Sequence, residues 1–70
     1  MTKFDTNFES EADQLAAINE GLADTALAIL SRAVKGDPRE LTVEKDLQRA
    51  RRAIAKAEAI LRGITENRSD

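Results

Sequence analysis

From Phe8 to Ile64 apolar side chains return every three or four positions, the period of an amphipathic α-helix, and the pattern breaks once, at Gly36-Asp37-Pro38. A single break leaves room for two long helices and one short turn, and a short connection between long helices makes them antiparallel neighbours. The expected fold class is therefore all-α: one antiparallel helical hairpin, a single domain over residues 1–70. The spacing predicts a helix over about 8–35, a turn over about 36–41, a helix over about 42–62 and a frayed tail over 65–70.

Local signals support that division. Lys35-Gly36 reads as a helix end, a cation in the last turn followed by a residue that tolerates left-handed backbone. Asp37 and Thr42 are rival N-caps for the second helix: the first would place Pro38 at the opening position with Glu40 closing a capping box, the second would have Glu44 and Asp46 near its positive end. Both TNFE and SEAD are capping-box candidates for the first helix, and Gly63 is a candidate cap for the end of the second.

The two helices differ in how much apolar surface they carry. In the second, Val43, Leu47, Ala50, Ile54, Ala57, Leu61 and Ile64 form an unbroken heptad seam, broadened on one side by Ala53 and Ile60. The first carries two adjoining stripes, Phe8-Leu15-Ile18-Leu22-Ala26-Ile29-Ala33 and Ala12-Ala16-Ala23-Leu27-Leu30-Val34. Together they span roughly half the helix circumference, well beyond the ~100° needed to cover one core. A hairpin gives the first helix one neighbour, so the excess predicts another, most simply a second copy: a homodimer forming a four-helix bundle. The predicted interface residues are Leu15, Ile18, Leu22, Leu27, Ile29, Leu30 and Val34. Asn19 falls inside the apolar arc, either as an edge residue whose amide reaches water or as a polar marker that fixes register or oligomer state. Gly21 lies on the polar side and costs the helix ~1 kcal/mol relative to alanine.

Size points the same way. The chain has seven Leu, five Ile and two Val, with twelve further apolar residues that are Ala and bury little area. At roughly 1.5–3 kcal/mol for each buried Leu or Ile, against about 1–2 kcal/mol for ordering each residue's backbone, such a chain sits near break-even. Small domains usually add disulfides, a metal or a partner. With no Cys and no His, disulfides and the usual zinc, haem and iron–sulfur sites are out of reach, which leaves association.

The same absences, together with the lack of Tyr, remove the common nucleophile and base combinations, so a non-enzymatic protein with no cofactor is expected. Glu9, Asp13, Glu20 and Asp24 share the outer region of the first helix, where carboxylates at helical spacing are solvated. GDPRE lacks the glycine spacing and the Lys-Ser/Thr of a phosphate loop, and no EF-hand pattern is present. No apolar run approaches a membrane span, and MTKFDTNFESEAD lacks the apolar core of a signal peptide, so a cytoplasmic location is expected.

One row of charges remains. Lys45, Arg49, Arg52 and Lys56 recur on one outer face of the second helix. Residues 38–64 hold seven basic and four acidic residues, and residues 8–35 hold two basic and five acidic. A solvated helix face beside an acidic neighbour accounts for the row simply, since exposed pairs contribute only ~0–1 kcal/mol each. It is also a candidate contact for an acidic protein or a phosphate backbone, although a pI near 5.1 and the absence of Tyr and Trp weigh against nucleic acid. The functional expectation is a protein-interaction module (adaptor, inhibitor or accessory subunit) acting as a homodimer with an unidentified protein partner. The alternatives are a nucleic-acid-binding regulator using the basic row, or a helical accessory subunit of a larger enzyme complex.

Overall fold

The computed structural model describes residues 6–36 and 38–67. Two helices, α1 (Glu9–Val34) and α2 (Pro38–Asn67), pack against each other as an antiparallel hairpin. No helix is long and apolar enough to cross a membrane among these residues.

α1 opens on Phe8, and neither expected capping box forms: no side chain caps from that position. Asn7 instead accepts the Glu9 backbone N–H on its Oδ1 at 3.0 Å, a local turn that competes with the box. The Phe8 N–H reaches across the hairpin to the Thr65 hydroxyl at 2.8 Å. At the other end the Lys35 and Gly36 N–H groups donate to the Arg32 and Ala33 carbonyls at 3.0 and 3.1 Å. Gly36 has φ +123°, which L side chains rarely adopt, so glycine is what lets α1 stop there.

α2 starts at Pro38, the earlier of the two expected starts, and not near 42, so the turn is shorter than the expected 36–41. Proline at a first helical position loses no hydrogen bond, because its N–H would have been unpaired in any case. The N-cap expected of Asp37 lies outside the described residues. At the far end α2 runs past Arg62 and through Gly63 to Asn67. Residues 65–67 of the expected frayed tail are therefore helical, and 68–70 lie outside the described residues. Gly63 does not cap because Thr65, one turn beyond Leu61, still has a partner: its hydroxyl donates to the Leu61 carbonyl at 3.0 Å and accepts from Phe8.

The line of contact between the helices differs from the sequence seam. On α1 the innermost column is small, Ala12-Asn19-Ala26-Ala33, and among the described residues only Ala12 and Ala26 are buried. On α2 the residues turned inward are Leu47, Ile54 and Leu61, alternating with Glu44, Arg51, Glu58 and Thr65. The expected Val43, Ala50 and Ile64 are exposed, and Ala57 is half-buried. Relative to the seam read from the sequence, α2 is thus rolled toward its polar side. The physical reason is the Ala-rich flank of α1 (Ala16, Ala23), over which long side chains such as Arg51 can lay their stems while their heads reach polar partners.

The hairpin is slender. Its Cα radius of gyration is 16.7 Å, against about 11 Å for a compact chain of this length. No large side chain is fully buried among the described residues.

Candidate interaction surfaces

The contacts between the helices divide the hairpin into two unlike sides. One side is polar. Arg51 donates from Nε to the Asn19 Oδ1 at 3.0 Å, and the Asn19 amide donates back to the Arg51 carbonyl at 3.2 Å. Arg51 also donates from Nη1 to Gln48 at 3.1 Å, and Gln48 donates to Glu44 at 3.0 Å. Nearer the open end Arg62 bridges Glu58 at 2.9 Å and Asp13 at 3.1 Å. Hydrogen bonds to Glu58 and then to Asp13 hold the Arg62 guanidinium pKa above its ordinary value, so it is a fixed positive charge. Asn19 is half-buried and its amide pairs with Arg51, which ties position 19 to position 51.

The opposite side is apolar and open. Two right-handed helices running antiparallel turn in opposite senses, so residues displaced the same way from each contact line fall on the same side of the pair. Leu15, Leu22 and Ile29, half-buried, and Ile18, 53% exposed, lie on that side of α1. Val43, Ala50, Ala53, Ala57, Ile60 and Ile64 lie on that side of α2, with Ile60 54% and Val43 49% exposed. The result is a continuous apolar strip along both helices.

The seven predicted interface residues do not share one surface. Leu15, Ile18, Leu22 and Ile29 belong to the open strip. Leu27, Leu30 and Val34 lie toward the polar side at the turn end: Leu27 and Leu30 line one groove with Glu44, Gln48 and Arg51 and a second with Ser31, Val34 and Lys35. Leu27 and Val34 are largely exposed, and Leu41 is exposed at the same end of α2. Sequence periodicity merged these two patches because α1's apolar arc passes straight over its contact line with α2. The α2 residues of the open strip lie on or beside the sequence's heptad seam, which predicts them inside the hairpin; the structure turns them to its open side.

Lys45, Arg49, Arg52 and Lys56 are all exposed on the outer face of α2. Asp46 lies 3.6 Å from Arg49, and the other three make no ion pair among the described residues. Glu9, Glu20 and Asp24 are exposed on α1, and no cluster of three or more carboxylate, His or Cys side chains able to hold a metal occurs among the described residues. Comparison with protein families, curated proteins and solved structures gave no match.

Proposed function

We propose that this protein is a non-enzymatic interaction module that works as a homodimer, two hairpins packing their open strips into a four-helix bundle. The observation that carries this reading is the burial pattern: Ala12 and Ala26 are the only buried residues among those described, while an apolar strip along one side of the hairpin stays uncovered. Completing the burial of Ile18, Val43, Ile60 and Ile64, each about half exposed, would contribute roughly 3–6 kcal/mol per copy at about half the value of a fully buried side chain. That is a large fraction of the total stability of a small domain.

In such a dimer the patch of Leu27, Leu30, Val34 and Leu41 stays outside the bundle and remains free for a protein partner, as an adaptor, inhibitor or accessory subunit would need. A cytoplasmic location suits the cysteine-free sequence. Mass in solution at micromolar concentration tests the dimer. A two-chain mass is the expected result, and a stably folded monomer refutes the reading.

A second reading rests on a separate observation, the exposed row Lys45, Arg49, Arg52 and Lys56 with one acidic neighbour. In the dimer the row occurs twice, on outer faces, and suits an acidic protein surface or a phosphate backbone. Binding to duplex DNA and structured RNA would weaken steeply with salt, because phosphate contacts release counterions. Charge reversal at Arg49 and Arg52 would abolish it, and unchanged binding disposes of the idea.

A further inference from the structure

The open strip has an outer edge on each helix, and the charges on those edges select one way of joining two copies. On α1 the edge is Glu11, Ile18, Thr25 and Arg32, spaced by seven and all exposed. On α2 it is Arg39, Asp46, Ala53 and Ile60, with the same spacing and exposure. The α1 edge is antisymmetric in charge about its midpoint, with a carboxylate at one end, a guanidinium at the other and uncharged residues between.

A two-fold axis can bring two strips face to face in two ways. With the turns at opposite ends, α1 lies against the α1 of the second copy in reverse; an axis level with positions 21 and 22 sets Glu11 against Arg32 and Ile18 against Thr25, and on the α2 edges Arg39 against Ile60 and Asp46 against Ala53, each twice over. With the turns at the same end, α1 lies along the α2 of the second copy. The register of the hairpin, in which position 19 meets 51, 13 meets 62 and 32 meets 40, then sets Arg32 beside Arg39 and Glu11 beside Ile60. The first arrangement gains two opposite-charge pairs. The second gains two like-charge contacts, and both arrangements leave charged side chains against apolar ones, so the pairs at Glu11 and Arg32 make the difference.

We infer that the strip receives a second copy of this chain with its turn at the opposite end, α1 against α1, the two edges keyed by reciprocal Glu11–Arg32 pairs. The inference rests on the dimer reading above and adds to it the geometry and the specificity of the joint. Area agrees with it: a hairpin face about 40 Å long on a molecule whose Cα extent across the helices is 17 Å offers at most roughly 700 Å² per copy, near the ~800 Å² per partner of a stable interface. Arg32 already has Glu40 at 3.7 Å, but its side chain is 67% exposed, which leaves guanidinium donors for a second carboxylate.

Two measurements test this. The chain contains no cysteine, so Lys35→Cys carries a single spin label at the turn. In a dimer of confirmed mass the inferred arrangement separates the two labels by about 40 Å, the length of α1. The same-end arrangement brings them within about 20 Å, roughly two helix diameters, and a short distance overturns the inference while leaving the dimer standing. A monomeric mass overturns both.

The second measurement is a charge swap at low salt. Glu11→Lys replaces two attractions by two repulsions and should raise the dimer dissociation constant roughly tenfold. Adding Arg32→Glu should restore most of that loss. Positions 11 and 32 stand about 32 Å apart on their own helix, so coupling between them can arise only across copies. Simple additivity of the two substitutions overturns the inference.

Discussion

Replacing Asn19 by alanine should cost more than an edge residue could. The substitution makes the inner column of α1 small at every level from Ala12 to Ala33 and introduces no clash, because it only removes atoms. It deletes the bond from the amide to the Arg51 carbonyl at 3.2 Å and the bond from Arg51 Nε to Oδ1 at 3.0 Å. A neutral hydrogen bond contributes about 0.5–1.5 kcal/mol and one to a charged group about 1.5–3 kcal/mol when well buried. Both bonds are part-buried, and Arg51 keeps Gln48 at 3.1 Å, so the lower ends apply and the expected loss is about 1–2 kcal/mol. For a chain of this size that lowers Tm by about 5–15 °C. The assay is thermal unfolding by circular dichroism at one fixed protein concentration, since association makes Tm concentration-dependent. Arg51→Met supplies the second arm of a double-mutant cycle: Asn19→Ala should cost less than half as much in that background. An unchanged Tm, or full additivity with Arg51→Met, refutes the assignment of Asn19 as the register tie.

Four further outcomes follow from the same geometry. Gly21→Ala and Gly63→Ala should each stabilise by about 0.5–1 kcal/mol, because both lie within helices and an added Cβ meets nothing within 4 Å; urea unfolding reads this. Gly36→Ala should destabilise by about 1 kcal/mol or more in the same titration, because the backbone there has φ +123° however much space surrounds it. Ala26→Leu should cost about 1–3 kcal/mol by forcing the helices apart, since Ala26 is 4% exposed at their closest line; a Tm equal to that of the parent would show that the helices are not held close there. Ile18→Asp or Leu22→Asp should dissociate and unfold the chain, read by mass and helicity together, and a variant that stays helical and dimeric would place the interface elsewhere.

The hairpin was legible because its signals are local: a 3.6-residue apolar period, a cation and glycine at residues 35–36, and proline where a helix can begin. The rotation of α2 was not legible, because the sequence seam through Val43, Ala50 and Ile64 is the most apolar line on that helix. Apolarity alone ranks it above the line that faces α1. What displaces it is a property of the other helix: Ala16 and Ala23 leave a shallow flank that long polar side chains fill, and Asn19 and Asp13 wait there as partners for Arg51 and Arg62. A carboxylate or amide on α1 matched with an arginine on α2 was a signal available in the sequence, had the two helices been aligned antiparallel residue by residue. The end of α2 was misplaced for a related reason. Gly63 is a stop signal only when nothing beyond it is held, and Thr65 is held by the Phe8 N–H, 57 positions away.

The two sides of the hairpin depend on each other. An apolar strip rich in alanine and isoleucine has little to fix its own stagger, since sliding one helix past the other by a turn would present similar small and branched side chains at each level. Hydrogen bonds cannot slide that way: Asn19 meets Arg51 and Asp13 meets Arg62 at one register only. The polar side therefore sets the stagger that puts Ile18 level with Ala53 and Ile29 level with Val43, and with it the pattern that any second molecule would have to fit. It also sets how the α1 edge that holds Glu11 and Arg32 is staggered against the α2 edge that holds Arg39 and Asp46. In the proposed dimer, specificity of the open strip would thus be held by residues outside the joint, and loosening Asn19–Arg51 should lower the preference for one arrangement of copies before it unfolds the helices.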